Sequence, residues 1–364
     1  MQIRRIRLFR QWQPFRDGTY ATSGGSAEGF DSLVVAVDCD GGVSGWGEMA
    51  PLGSFYSPAF AAGARAGAEE LAATLIGLDA AAWRVLEARL DTALSGHPYV
   101  KSALDMACRD ASARAAGRTL CDELGGRFDG DVRLYRSISP AAPDEMAERA
   151  VQLAAAGYGR LQVKVGGDPR ADAERVDAIA AAVGSGVSLV ADANGGFTTQ
   201  AALEFLRLAP RSEFLFEQPC ATLDECAVVR VHCDRPLALD ESIDSTAALL
   251  HARGVADAVT LKLSRVGGVS RAARLRDLAC ELGMRVTVED TGGSTIDTAA
   301  MAHLSASTPE PHRGHTVDFN NWVTVENATG LPQPRGGVQP LPTGPGLGIE
   351  VLEDALGRPL AVIE

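Results

Sequence analysis

From residue 132 onward, short apolar runs recur at 132–138, 161–165, 187–191, 214–216, 237–239, 258–263, 285–288 and 315–319. Helical stretches such as 170–183 and 270–282 separate most of them. Eight strands alternating with helices, at roughly 25 residues per repeat, predict an α/β fold of the (β/α)8-barrel type. Before this pattern begins, residues 1–9 alternate apolar and basic side chains, as a half-exposed strand does. Residues 33–37 read as a second strand, and Asp38-Cys39-Asp40-Gly41-Gly42 as a turn into Val43-Ser44-Gly45-Trp46-Gly47. Residues 59–115 have helical spacing, broken near Gly77 and at Ser95-Gly96-His97-Pro98. The expected division is an α+β capping domain at 1–125, a barrel domain at 126–330, and a Pro/Gly-rich tail at 331–364 packing back on the cap. A doubly wound open sheet is the other arrangement of such elements. No Gly-x-Gly-x-x-Gly opens a first helix, so a dinucleotide site has no support.

Composition narrows the partners. The net charge of −13 over 364 residues argues against nucleic acid, which needs clustered cations. No run of eighteen apolar residues is present, so no membrane span is expected. Met1-Gln2-Ile3-Arg4-Arg5-Ile6-Arg7 has no apolar secretory core, and the seven cysteines include no Cys-x-x-Cys pair. The expectation is a cytoplasmic protein with reduced thiols, and a homo-oligomer on general grounds. Of the 34 basic residues only Lys101, Lys164 and Lys262 are lysine. Arginine cannot be deprotonated in a protein and lysine can, so each lysine is a candidate for chemistry that needs a free amine.

In a barrel of this kind the chemistry sits at the carboxyl ends of the strands. Those ends carry Lys164, Asp192, Glu217, Asp240 and Lys262 in turn, at separations of 28, 25, 23 and 22 residues. Glu289-Asp290 follows on the seventh run, and Asp318 and Asn320 on the eighth. Taken singly, Asp192-Ala193-Asn194-Gly195-Gly196 reads as a turn, Glu217 as a loop carboxylate, and Asp240-Glu241-Ser242 as a helix cap. Taken together they converge once per repeat on a single rim. Three carboxylates without Cys or His specify an oxygen-only site that suits Mg²⁺, with Mn²⁺ as a substitute. Such an ion is a Lewis acid that stabilises the enediolate formed when a proton α to a carboxylate is removed. A lysine base must drop roughly 3 pH units, about 4 kcal/mol, to be neutral near pH 7. Desolvation and a neighbouring dication both act in that direction.

With these residues in place the chain resembles the enolase superfamily, specifically the muconate-lactonising subgroup with two opposed lysines. The resemblance covers essentially the whole chain. It implies that Asp192, Glu217 and Asp240 are the metal ligands, that Lys164 is the second Lys of Lys-x-Lys, and that Lys262 is the opposed lysine. Asn194 matches the Asn of Asp-x-Asn, and Gln162, Asn194 and Glu241 are expected to stand behind the ligands. Gln162 replaces the first Lys of the motif, as it does in the branch acting on hydroxyproline and proline betaine. Gly96-His97-Pro98-Tyr99, Leu134-Tyr135-Arg136-Ser137-Ile138-Ser139, Leu161-Gln162-Val163-Lys164-Val165-Gly166-Gly167-Asp168 and Thr316-Val317-Asp318-Phe319-Asn320 look like that branch's cis-3-hydroxy-L-proline dehydratases. Asp290-Thr291-Gly292-Gly293 departs from it: an aromatic usually follows the Thr, and its loss is expected to widen the pocket.

The implied reaction is Mg-dependent removal of an α-proton from a small carboxylate, with dehydration of cis-3-hydroxy-L-proline to a cyclic imine. Hydroxyl and α-hydrogen lie on opposite ring faces there, so Lys164 is the expected base and Lys262 the expected acid. The same pair suits epimerisation of proline betaine, hydroxyproline betaine or another amino-acid derivative. A metal-free Schiff-base lyase and a non-catalytic binding barrel are the remaining alternatives. Substrate contacts are expected from Phe55 and Tyr56, from the Gly/Ser-rich 17–28 loop (expected to be mobile), and from Asp290, Asp297 or Asp318 facing an ammonium. Lys101 is given no role, and His97, His303 and His315 read as structural.

Overall fold

The computed structural model describes residues 1–22, 24–210 and 212–364. The chain opens with β1 (Ile3–Pro14), a small hairpin of β2 (Tyr20–Thr22) and β3 (Gly25–Ala27), β4 (Gly29–Cys39) and β5 (Ser44–Met49). The hairpin takes up most of the segment expected as a loop at 17–28; Ser23 within it lies outside the described residues. Three helices follow, Ala61–Ala73, Trp83–Ala93 and Pro98–Ala115, with breaks where Gly77 and Ser95-Gly96-His97 fall. Then come seven parallel strands: β6 (Arg136–Ile138), β7 (Arg160–Lys164), β8 (Ser188–Asp192), β9 (Phe214–Glu217), β10 (Leu237–Leu239), β11 (Ala258–Lys262) and β12 (Arg285–Glu289). Three short strands end the chain, β13 (Ala328–Thr329), β14 (Glu350–Val351) and β15 (Ala361–Ile363).

The cap is an antiparallel sheet in the order β15–β1–β4–β5, so the end of the chain completes the sheet that its start begins. β4 is buried on both faces, which explains its unbroken apolar run. Alternate side chains point to opposite faces of a strand. Leu33, Val35 and Val37 pack with Leu71, Leu104 and Ala107 of the helices. Val34 and Ala36 join the core shared with the barrel.

The barrel strands pair in sequence order, each with the next. The eighth expected strand is not formed. The segment touches its neighbours at single bridges, Arg313 with Val286 and Thr316 with Leu134, and these join β12 to the stave of β6. Beyond Val317, Asp318 accepts from Arg136 and from Asn321 Nδ2 and turns the chain into the short helix Phe319–Asn321, so the ladder stops. The first run is likewise shorter than expected: Leu134 pairs with Thr316 and Arg133 with Val338 of the tail, leaving only 136–138 as regular strand. Helix boundaries follow local chemistry. Pro169–Val183 begins with Pro at its first position, and the Asp168 carboxylate accepts from Ala171 N at 2.9 Å.

Two close approaches hold cap and helix together. A β-carbon at Gly45 or Gly47 would lie 2.2 Å from Ala107 O or 2.0 Å from Ala103 O, so only glycine lets Pro98–Ala115 lie directly on β5. His303 is fully buried; its Nδ1 accepts from Cys121 N and its Nε2 faces Leu347 O at 3.1 Å. Its role is to join barrel helix, linker and tail. Gly47→Ala is expected to destabilise the protein by about 1–3 kcal/mol through overpacking, measured as a lower denaturant midpoint, whereas Gly186→Ala, with no atom within 4 Å of the new carbon, removes less.

Candidate active site

The parallel register places the expected site residues on one level. Lys164 lies directly across from Asp192, Asp192 from Glu217, and Lys262 from Glu289. Because each ends its strand, all project at the carboxyl rim. Lys164, Asp192, Glu217, Asp240 and Lys262 are at most 5 % exposed. Lys164 Nζ donates to Asp192 Oδ2 at 2.5 Å. Lys262 Nζ stands 3.1 Å from Asp240 Oδ2 and 3.6 Å from Glu289 Oε2, and donates to Tyr56 Oη at 2.5 Å. Glu217 accepts from Gln162 Nε2 (2.9 Å) and from Thr260 Oγ1 (2.6 Å).

The expected supporting residues hold these groups in place. Asn194 adopts a left-handed backbone (φ 46°), which Asn tolerates better than most side chains. Its Nδ2 then donates to both Asp192 Oδ2 and Glu241 Oε1 at 3.0 Å. Asn194 Oδ1 and Glu241 Oε2 are buried without partners. Gln218, also left-handed (φ 35°), accepts from Asp240 N (2.9 Å) and Ser242 N (3.2 Å) through its Oε1 and so fixes the turn that presents Asp240.

Electrostatics at the rim are dominated by crowding. Five carboxyls (Asp192, Glu217, Asp240, Glu241, Glu289) face three cations (Lys164, Lys262, Arg265). Burial, with Asp192, Asp240 and Glu289 nearby, pushes the Glu217 carboxyl up to about 8. Burial, with Asp240 and Asp192, pushes Glu241 up to about 7. Burial would raise Asp240 too, but Arg265 and Lys262 outweigh it and bring this carboxyl down to about 2. Both lysines differ from the lowered basicity that the sequence suggested. Burial alone would lower them, yet Asp192 and Tyr20 hold Lys164 charged, and Asp240, Glu289 and Tyr56 hold Lys262 charged. Among the described residues no three His, Cys, Asp or Glu side chains form a ready-made ion cage, because the acids are turned onto these donors.

The cap closes the site. A cavity of about 30 Å³ is lined by both lysines, Asn194, Glu289, Asp290 and Tyr135, and roofed by Tyr20, Phe30, Leu52 and Tyr56. Each lysine faces a cap tyrosine: Lys164 Nζ lies 6.0 Å from the Tyr20 ring centre, and Lys262 Nζ lies 4.7 Å from that of Tyr56. Tyr56 Oη also donates to Asp240 Oδ2 at 3.1 Å and accepts from Arg265 at 3.0 Å. Phe55 does not line this cavity; its ring packs on Gly25 and Gly53 and is 38 % exposed. Asp290 accepts from Ser264 N, Ser264 Oγ and Thr291 N, which ties its carboxylate to the backbone after β11. Asp318 is paired with Arg136 at 3.2 Å and keeps Oδ1 unpartnered. Asp297 is buried against Asp290 and Glu48, with its carboxyl pushed far up by that burial and by both neighbours. Lys101 pairs with Asp91 in the cap at 2.7 Å.

The widening expected at Gly292 does not occur. A β-carbon there would meet the Phe30 ring at 2.4 Å, so the cap's Phe30 fills the room that a side chain at 292 would take. Phe30, Gln218 and Arg265 escaped the sequence reading, and Tyr20 was covered only as part of the 17–28 segment. Arg265, three residues beyond Lys262 and hence one helical turn on, is the one that spacing could have flagged. The others reach the site from elements remote in sequence or through an unusual backbone.

Comparison with known proteins agrees with this geometry. Residues 10–125 match the family described as mandelate racemase/muconate lactonizing enzyme, N-terminal domain, and residues 145–355 match the family described as enolase C-terminal domain-like. A cis-3-hydroxy-L-proline dehydratase from Roseibium aggregatum is 41 % identical over 99 % of both chains. An N-succinyl-L-Arg/Lys racemase from Bacillus cereus is 27 % identical over 84 % of this chain and 85 % of the relative. A crystal structure from Roseovarius nubinhibens, assigned to mandelate racemase/muconate lactonizing enzyme and complexed with magnesium, superposes over 100 % of both chains with TM-score 0.96 and 37 % identity. Two matched domains, end-to-end likeness and a polar rim of this design lead to one conclusion: the chain belongs to the mandelate racemase/muconate lactonizing enzyme family of the enolase superfamily.

Proposed function

We propose that this enzyme dehydrates cis-3-hydroxy-L-proline. The observation that carries the reading is the pair Lys164 and Lys262, set at opposed strands of one closed cavity beside three carboxylates. The Roseibium relative's name supplies the substrate. Asp192, Glu217 and Asp240 suit a hard dication: all their donors are oxygen, five acids exceed three cations, and Asn194 Oδ1 and Glu241 Oε2 are left unpartnered beside them. When bound, Mg²⁺ takes up carboxylate charge that otherwise holds the lysines protonated and supplies Lewis-acid stabilisation to the substrate carboxylate.

The chain's own groups do the proton work. Lys164 removes the α-proton from one ring face. Lys262, held by Tyr56 and by Asp240, gives a proton to the 3-hydroxyl on the other face. The Cα–H and Cβ–O bonds break, water leaves, and the enamine tautomerises to the cyclic imine. Gln162 and Thr260 orient Glu217, and Arg265 and Gln218 orient Asp240. The closed cap keeps bulk water from the intermediate. The racemase relative supports a second reading, in which the same two lysines take and return one proton to give an epimer.

Lys164→Ala is expected to lose substrate α-hydrogen exchange in D₂O together with turnover, by about 10²–10⁴-fold. Lys262→Ala is expected to keep exchange while losing imine formation. Proton NMR reads both, and a ring-retaining epimer without imine would favour the second reading. The raised Glu217 gives a pH dependence. Its carboxyl is protonated in the fold up to about 8 and ionised in the unfolded chain above about 4.5, so metal-free stability falls as pH rises through that window. Magnesium is expected to bind the ionised form and flatten the loss, seen in thermal midpoints at pH 5, 6.5 and 8 with chelator or with Mg²⁺. Phe30→Leu is expected to open room beside Gly292 and shift kcat/KM about 10-fold toward N-methylated proline over proline itself, measured by competition in the exchange assay.

A further inference from the structure

The amino-terminal end of the barrel, opposite the lysines, gathers positive charge that the reaction does not use. Side chains two apart on a strand share a face. Arg160 therefore lies beneath Gln162 and Lys164 on the inner face of β7, roughly 13 Å from Lys164 along the strand. Arg285 lies beneath Thr287 and Glu289 on β12. Both arginines line a pit of about 830 Å³ at this end, with Ser188 and Thr287 in its wall. Arg160 donates to Ser188 Oγ at 3.2 Å. Among the described residues no carboxylate lies within ion-pair distance of Arg160, Arg285 or neighbouring Arg133. The acids Asp257 and Asp234 in the same wall are engaged by Arg230 and Arg235, and Glu213 is exposed.

The pit is also a place where cations are in mutual conflict. Burial and Arg285, only partly offset by attraction to Glu217, bring the Arg160 guanidinium down to about 10. His315, on the segment joining β12 to β6, is pushed down to about 3 by burial and by Arg160, Arg133 and Arg285; it is therefore neutral, and its Nδ1 is buried without a partner. In a chain of net charge −13, arginines facing one another across a half-enclosed pit whose acids pair with other arginines or stand exposed are an arrangement that an anion relieves.

We propose that this pit is an anion site that takes a small doubly charged oxyanion, of the phosphate or dicarboxylate class, between Arg160 and Arg285, with Arg133 and His315 at its edge. A guanidinium fork matches two oxygens of such an ion, and two forks satisfy its charge. The site is remote from the reacting atoms, so its occupancy acts on stability.

Thermal midpoints of the full chain in phosphate, in malonate and in chloride of equal ionic strength test this. A saturable rise of about 2 °C or more over chloride is expected with either dianion, with one ion per chain by calorimetric titration; which dianion binds tighter sets the shape of the ion. Arg285→Ala and Arg133→Ala, both at exposed positions, are expected to weaken binding at least about 5-fold with kcat unchanged. The proposal is overturned if neither dianion stabilises the protein more than chloride does. It is equally overturned if the variants respond as the parent does, which would place the ion elsewhere.

Discussion

Enclosing more acid than base at one rim is the constraint on which this structure depends. Five carboxyls share a small space with two lysines and one arginine, and water reaches few of them. In such a setting every charge is set by its neighbours rather than by its own chemistry. Asp240, clasped by Arg265 and Lys262, remains ionised at low pH. Glu217, which has only the neutral donors Gln162 and Thr260, is driven toward its protonated form. The substitution of Gln162 for a lysine matters here. A cation at that position would steady Glu217 directly, whereas an amide leaves the surplus negative charge for a dication.

The architecture exists to hold that surplus in place. Parallel strands in sequential order bring one residue per repeat to a common level, and the register places Lys164, Asp192 and Glu217 directly abreast. Left-handed turns at Asn194 and Gln218 carry the chain away from the rim while returning their side chains to it. The cap then seals the site from above. Tyr56 joins Lys262, Asp240 and Arg265 through one hydroxyl, so cap closure and lysine placement are a single event. At the opposite end of the same strands the inner face bears arginines, so the barrel carries acids at its working mouth and cations at its base.

Much of this was legible along the chain because it repeats. Strand ends recur at 22 to 28 residues, and a polar residue after each apolar run is a one-dimensional signal. The scarcity of lysine left three candidates, and the places of Lys164 and Lys262 at the ends of apolar runs set them apart from Lys101. The apolar run at 33–37 implied a strand, and the structure shows that strand buried on both faces. Less was readable where a segment answers to distant partners. The 315–319 run has strand composition, yet Asp318 is drawn to Arg136 and Asn321, and the strand does not form. The 17–28 segment has loop composition, yet its ends pair as a hairpin over Lys164.

By itself, then, the amino-acid order determined the alternation of strands and helices, the family of reactions, and the set of acids and amines that serve it. These depend on residue type and local spacing, which survive in one dimension. Only the tertiary structure decided the charge state of those groups, the tying of the Asp290 carboxylate to Ser264 and Thr291, and the filling of the space at Gly292 by Phe30. Those outcomes come from atoms hundreds of positions apart being pressed into van der Waals and Coulombic range, where burial and neighbouring charge outweigh intrinsic preference.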